Sequence, residues 1–174
     1  LLIGAGAIGL PIIHYCKIKK IKIDVIEKRN RSIKLSKKFG CSNIYKNIEN
    51  KHLIKKLSYS YYDHVIDTSG NSNLLNKMLS YIKPSVNICL VGVAKKGSKI
   101  KIDPMKINYG VKIIGSYGGD LIPEKDINRY FLFLKKTNFK FNIYKDKIYK
   151  FNEINKLIKD FKNHKIYGKS IIKI

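Results

Sequence analysis

The chain opens on Leu1-Leu2-Ile3 and passes directly into Gly4-Ala5-Gly6-Ala7-Ile8-Gly9, after which Ile12, Ile13 and Cys16 fall at the spacing of one buried helix face. A short apolar strand, a Gly-x-Gly-x-x-Gly string and a helix in that order admit few folds. In a parallel α/β sheet each glycine has its own task. Gly4 permits the tight turn, Gly6 lets the backbone approach a pyrophosphate with no β-carbon in the way, and Gly9 lets the helix pack closely on the strand. Ala5, Ala7 and Ile8 complete the loop, and the helix N-terminus adds N–H donors and about half a positive charge. A Gly-rich turn in an unrelated α/β protein has the same local sequence, so the downstream pattern has to decide.

That pattern is an unbroken alternation of short apolar runs and helical stretches. Strands are expected at Leu1 to Ile3, through Ile23, Val25 and Ile26, near Ile44, at Asp63 to Asp67, at Val86 to Val91 and at Val111 to Gly115. Between them the spacing predicts helices over Ile8 to Lys19, Ser32 to Phe39 with Gly40 as C-cap, 51 to 58, and Ser72 to Tyr81. Six strands with crossovers fit one doubly wound parallel sheet, an α/β Rossmann arrangement. A helix over Glu124 to Lys136, a strand over 143 to 149, a helix over Asn152 to Lys162 and a strand over Ser170 to Ile174 have no place in a sheet already complete. The expected division is therefore a dinucleotide-binding domain over 1–136 and, over 137–174, a return segment of a second domain whose main part lies upstream. The opening on a strand already in progress carries the same expectation.

Glu27 stands at the carboxyl end of the second strand, where an acidic side chain accepts hydrogen bonds from the adenosine ribose hydroxyls. A 2′-phosphate there would face a carboxylate, which favours NAD over NADP, while Arg29 and Arg31 close by keep NADP open. Methyltransferases also place an acid at this point, so loop and acid together do not establish hydride chemistry.

The charge points elsewhere at first sight. Lys+Arg number 36 against 12 Asp+Glu, a net +24 that raises nucleic acid or an anionic membrane as partner. Yet the only arginines are Arg29, Arg31 and Arg129, alanines number three, and Ile, Asn and Tyr abound, the skew of adenine- and thymine-rich coding. The lysines fall in almost every segment and do not gather on one element with interleaved aromatics, as a nucleic-acid groove requires. No nucleic acid and no membrane partner is expected. Neither a run of ~20 apolar residues nor a secretory leader is present in the sequence given, so the expected location is the cytoplasm. Cys16, Cys41 and Cys89 are too scattered for a disulfide framework or a metal knuckle, and each reads as a small buried hydrophobe.

Along nearly its whole length the chain resembles the zinc-type medium-chain alcohol dehydrogenase family. The resemblance is carried by the glycine-rich loop, Phe39-Gly40-Cys41, Asp63-His64-Val65-Ile66-Asp67-Thr68-Ser69-Gly70, Val91-Gly92-Val93, Ile114-Gly115-Ser116-Tyr117-Gly118-Gly119, Phe151-Asn152-Glu153-Ile154-Asn155 and Gly168-Lys169-Ser170-Ile171-Ile172, in matching order. It implies that Gly4 to Gly9 hold the pyrophosphate and Glu27 the ribose. Thr68 and Gly70 would line the adenosine side, the backbone of Val91 and Val93 around Gly92 would meet the nicotinamide carboxamide, Gly115 and Tyr117 would orient that ring, and Lys169 would pair with phosphate. It also implies an alcohol or carbonyl substrate and a homodimer or homotetramer, with the region from Ile100 to Ile114 pairing between subunits.

Two departures concern turns. Pro84-Ser85-Val86 replaces the family's Pro-Gly-Gly, so a positive φ would strain Val86 or force the turn to be rebuilt. Lys17-Ile18-Lys19-Lys20-Ile21 lacks the usual glycine before the second strand. The third concerns metal: in the family, zinc held by Cys, His and acidic ligands polarises the alcohol, and those ligands precede the glycine loop. His14 and Cys16 diverge on their helix, and His52, His64 and His164 have no partner at ligand spacing. No catalytic residue and no metal site is expected in these positions. The reading is thus an NAD(H)-dependent oxidoreductase of the CH–OH group, expected to bind dinucleotide but not to turn over as this fragment. A noncatalytic nucleotide-binding module or gene remnant, and a nonspecific nucleic-acid binder, are the alternatives.

Overall fold

The computed structural model describes residues 1–137, 145–163, 165–166 and 168–174. They form two compact units, Leu1–Asp120 and Leu121–Ile174.

The first unit alternates strictly: β1 (Leu2–Ile3), α1 (Gly9–Ile18), β2 (Asp24–Ile26), α2 (Asn30–Lys38), β3 (Asn43–Tyr45), α3 (Lys51–Ser58), β4 (His64–Asp67), α4 (Ser72–Tyr81), β5 (Asn87–Leu90), α5 (Pro104–Asn108) and β6 (Lys112–Gly115). All neighbouring strands are parallel, in the order β3-β2-β1-β4-β5-β6. This is the doubly wound sheet expected from the sequence. The order reverses between β1 and β4, and ligands of such sheets bind outside the carboxyl ends of the strands at that switch point.

The core explains why these strands sit centrally. Leu1, Ile3, Ile26, Val65 and Ile88 pack with Leu53 and Leu57 of α3 and Leu75, Met78 and Leu79 of α4. Each such side chain contributes about 1.5–3 kcal/mol by leaving water. Leu2 alternates to the other side of β1. In α1 the buried apolar positions are Leu10, Ile13 and Cys16, with Ile12 only half-buried, one step around the helix from the expected face. Of the cysteines only Cys16 is buried; Cys41 and Cys89 are half-exposed, so the expectation of three buried hydrophobes fails for two of them.

Away from the switch point, Asp24 begins β2 and is buried within a polar cluster. Its Oδ2 accepts from Lys56 Nζ at 2.7 Å and Tyr62 Oη at 2.7 Å, and its Oδ1 from Asn43 Nδ2 at 2.8 Å. Burial alone would raise the pKa of this carboxyl, but the three donors reverse the sign and hold it below the ordinary carboxylate range. Burial and the neighbouring Asp24 charge push the Tyr62 phenol up.

Three local differences from expectation have clear causes. Helix α5 was not foreseen, although Asp103 caps it through Met105 N at 3.0 Å and Pro104 occupies its first turn, a sequence start signal. The Pro84-Ser85-Val86 turn puts its positive φ of 68° on Ser85, and Val86 is spared. The glycine missing before β2 is replaced by Lys20 at φ 57°, a left-handed residue with a β-carbon.

In the second unit, α6 (Pro123–Lys136) is followed by β7 (Lys145–Lys150), a 3-10 turn at Phe151–Glu153, α7 (Ile154–Lys162) and β8 (Lys169–Lys173), with β7 and β8 parallel. Residues 143 and 144 of the expected seventh strand lie outside the described residues. The Tyr149 hydroxyl donates to Asp160 Oδ2 at 2.8 Å and ties β7 to α7.

Candidate functional site

The glycine-rich loop bridges β1 and α1 at the switch point. Gly4 N donates to Ile26 O at 2.9 Å and Leu10 N to Gly6 O at 3.0 Å, so the loop is fixed at both ends. Gly4 has φ +89°, and a β-carbon on Gly9 would lie 2.1 Å from Gly4 O. Gly9 therefore belongs to the fold. Gly6 differs: a β-carbon there would meet only Arg29 Nη2, at an ordinary 3.5 Å. Nothing in the chain itself requires Gly6 to be glycine. Ile8 is the N-cap of α1 and offers it no side-chain hydrogen bond, and the first-turn amides of a helix lack intrahelical acceptors. A phosphate group fits that donor set.

The β4 turn forms the opposite wall. Thr68 N donates to Ile3 O at 3.0 Å, and the Thr68 hydroxyl reaches Gly4 O at 2.9 Å and Ile3 O at 3.1 Å, pinning the start of the glycine loop. Buried Asp67 organises the same turn by accepting from Ser69 N at 2.8 Å and Ser69 Oγ at 2.7 Å. The next loop along presses on it: a β-carbon on Gly70 would sit 2.4 Å from Val93 O, and one on Gly92 2.3 Å from Gly70 N. Gly70 and Gly92 thus allow two loops to cross at backbone contact. Val91 N and Gly92 N both donate to Asp67 O, at 2.9 and 2.8 Å. Val93 and Tyr117 are 95% and 92% exposed, and Gly115 ends β6 with open space at its β position.

Glu27 follows β2 and is buried. Its Oε2 accepts from Ala5 N at 2.9 Å and Arg29 Nη2 at 2.8 Å, and its Oε1 from Lys28 N at 2.9 Å, Arg29 N at 2.9 Å and Arg29 Nε at 3.1 Å. Burial would raise this carboxyl's pKa; the Arg29 guanidinium and the amides of Arg29 and Ala5 outweigh it and hold the group ionised below its usual range. Glu27 is thus a clasp on the loop, drawing Ala5 toward β2 and fixing Arg29 beside Gly6.

Gly4, Ala5, Gly6, Ala7, Ile8, Gly9, Glu27, Thr68, Gly70, Val91, Gly92, Val93, Gly115 and Tyr117 all lie on or just after strand ends of the first unit. Lys169 stands in β8 of the second unit. Sequence reasoning missed the structural parts of Arg29, Asp67 and Ser69. The signals were there: an arginine two residues after a strand-end acid, and an Asp-x-Ser turn. Among the described residues no three His, Cys, Asp or Glu side chains are grouped to hold a metal ion. His14 stacks on Phe39, with ring centroids 5.4 Å apart, and His164 lies outside the described residues. No helix among the described residues is long and apolar enough to cross a membrane.

A family model described as zinc-binding dehydrogenase matches residues 7–136. The L-threonine 3-dehydrogenase of Stenotrophomonas maltophilia is 29% identical over 122 residues, 68% of this chain and 35% of that protein. Benzyl alcohol dehydrogenase from Acinetobacter calcoaceticus matches in structure with a TM-score of 0.83 at 22% identity, over 99% of this chain and 48% of that one. An Escherichia coli protein described as a short chain alcohol dehydrogenase, solved with NADH, gives 0.81 at 17% identity over 99% and 51%. The chain spans about a third of the curated relative and about half of each solved structure.

Proposed function

The chain belongs to the zinc-binding dehydrogenase family, and from that premise we propose that it is the nicotinamide dinucleotide-binding part of an oxidoreductase acting on the CH–OH group of an alcohol or polyol. The observation that carries the proposal is the loop itself. Gly9 is glycine because the fold demands it, whereas at Gly6 the fold makes no such demand and leaves room for a ligand against the uncapped start of α1. Ala7 and Ile8 supply amides for a pyrophosphate, and Glu27 and Thr68 hold the loop in shape from either side. Val91, Val93, Gly115 and Tyr117 would orient the nicotinamide ring, and Lys169 would meet phosphate. A nicotinamide cofactor held by these residues would supply the hydride acceptor or donor of the reaction. The division into a dinucleotide-binding domain over 1–136 and a returning segment over 137–174 belongs to the same proposal, as do a cytoplasmic location and a zinc ion held by ligands outside this sequence.

A second copy of the chain is proposed at β6. It is one of the two edge strands of the six-stranded sheet, and Ile114 on it and Met105, Ile107 and Tyr109 just before it are exposed. An apolar sheet edge is a template for pairing with a like edge.

The experiment for the main proposal is a titration of the chain with NADH and NADPH, followed by the fluorescence of the reduced ring. Saturable binding of at least one is expected. Absence of binding by both would overturn the reading in favour of a noncatalytic remnant.

A further inference from the structure

We propose that Asn76 and Asp67 are positioning residues for the nicotinamide end of the cleft: between them they fix the long connection from β5 to α5 against the β4 turn, so that the wall meeting the ring is set by folding and not by the ligand. The inference rests on the dinucleotide reading and deepens it.

A dinucleotide whose pyrophosphate lies at the loop between β1 and α1 spans the switch point, with one half toward β2 and the other toward β4 and β5. That second half meets the residues just after Leu90. From there to Pro104 the chain has neither helix nor strand, and Val93 to Lys101 are exposed. A connection of that length samples many conformations unless other elements supply it with partners.

The partners come from β4 and α4. Asp67 O accepts from both Val91 N and Gly92 N, and the Asp67 carboxylate shapes the adjoining turn by holding Ser69 through its amide and its hydroxyl. Ser69 Oγ in turn accepts from Asn71 N at 3.1 Å. Because Val93 O lies 2.4 Å from the β position of Gly70, the shape of this turn dictates where Val93 stands. At the far end, half-buried Asn76 of α4 uses both ends of its amide: Nδ2 donates to Lys99 O at 3.1 Å, and Oδ1 accepts from Lys101 N at 2.8 Å. One side chain thus does for this segment what a neighbouring strand would do. In between, Ser98 N donates to Lys95 O at 3.0 Å across a turn in which Gly97 has φ +82°, and beyond it Ile102 packs on the core. The connection is tied at its start, middle and end, and binding of the ring does not have to order it.

The test compares dissociation constants for NADH and for ADP-ribose, which carries all of the dinucleotide but the nicotinamide ring, on wild type, Asn76→Ala, Asp67→Ala and Asp67→Asn. Wild type should bind NADH at least about threefold more tightly than ADP-ribose. Asn76→Ala deletes two hydrogen bonds of ordinary strength and should weaken NADH by about threefold to tenfold while leaving ADP-ribose within about twofold. Asp67→Ala should shift the same ratio further, and Asp67→Asn, which keeps an acceptor oxygen for Ser69, should recover most of the NADH affinity. Asn76 is not a core residue, so its variant carries the test even where Asp67→Ala fails to fold. Equal weakening of NADH and ADP-ribose, unchanged NADH affinity in Asn76→Ala, or equal affinity of wild type for the two ligands overturns the positioning role while leaving dinucleotide binding intact. Binding of neither ligand by wild type removes the dinucleotide reading itself.

Discussion

The carbonyl oxygen of Gly4 lies 2.1 Å from the point that a β-carbon on Gly9 would occupy. Backbone has no flexible end to swing aside, so Gly9→Ala must push α1 off β1. A loss of about 2–4 kcal/mol is expected, read as a lower denaturant midpoint. Gly6→Ala should leave stability within about 1 kcal/mol, because its new methyl meets only the end of Arg29, yet should weaken dinucleotide binding. Equal destabilisation by the two substitutions would show that the glycines serve packing alone.

Lys20 at φ 57° and Ser85 at φ 68° hold side chains in the left-handed region. A β-carbon there costs roughly 1–2 kcal/mol relative to glycine, offset in part by the extra freedom glycine brings to the unfolded chain. Lys20→Gly and Ser85→Gly are each expected to stabilise by about 0.5–1 kcal/mol, seen as a raised Tm. A fall in Tm for both would contradict the strain assigned to these turns.

Asp24 carries a pH signature. Its folded pKa lies below the unfolded one, so its contribution is complete above about pH 4 and is lost as pH falls through the folded value. Asp24→Asn leaves the Lys56 ammonium without its carboxylate and should cost about 2 kcal/mol at pH 7. That gap should narrow as the wild type is acidified; a gap constant from pH 7 to pH 2 would rule out the linkage. Glu27 shares the sign, so acid also loosens the clasp on the loop.

The exposed β6 edge gives a prediction on assembly. Sedimentation should show a concentration-dependent dimer, and Ile114→Lys should shift it toward monomer without lowering Tm, since Ile114 is already exposed in a single chain. A strict monomer at high concentration would remove the proposed pairing.

Much of this was legible in the residues. The doubly wound parallel sheet followed from the alternation of apolar runs with crossovers, because buried parallel strands read as continuous apolar segments such as Leu1 to Ile3. The glycine loop was legible for the same reason that Gly9 is irreplaceable: its spacing encodes a backbone contact. What stayed hidden were relations that have no period. That the carboxylate of Glu27 is saturated by Ala5, Lys28 and Arg29, and that Thr68 spends its hydroxyl on Gly4, depends on how two strand ends meet in space. The short helix α5 was missed because five residues carry too little pattern, although its Asp-Pro start was in view.

The most direct measurement is a two-dimensional amide NMR titration of the chain with NADH, repeated with NADPH. The amides of Gly6, Ala7, Ile8 and Gly9 should shift progressively and saturate with a single site per chain. Shifts confined to lysine-rich surface segments, with the loop between β1 and α1 unmoved, would contradict the assignment of this cleft to a dinucleotide.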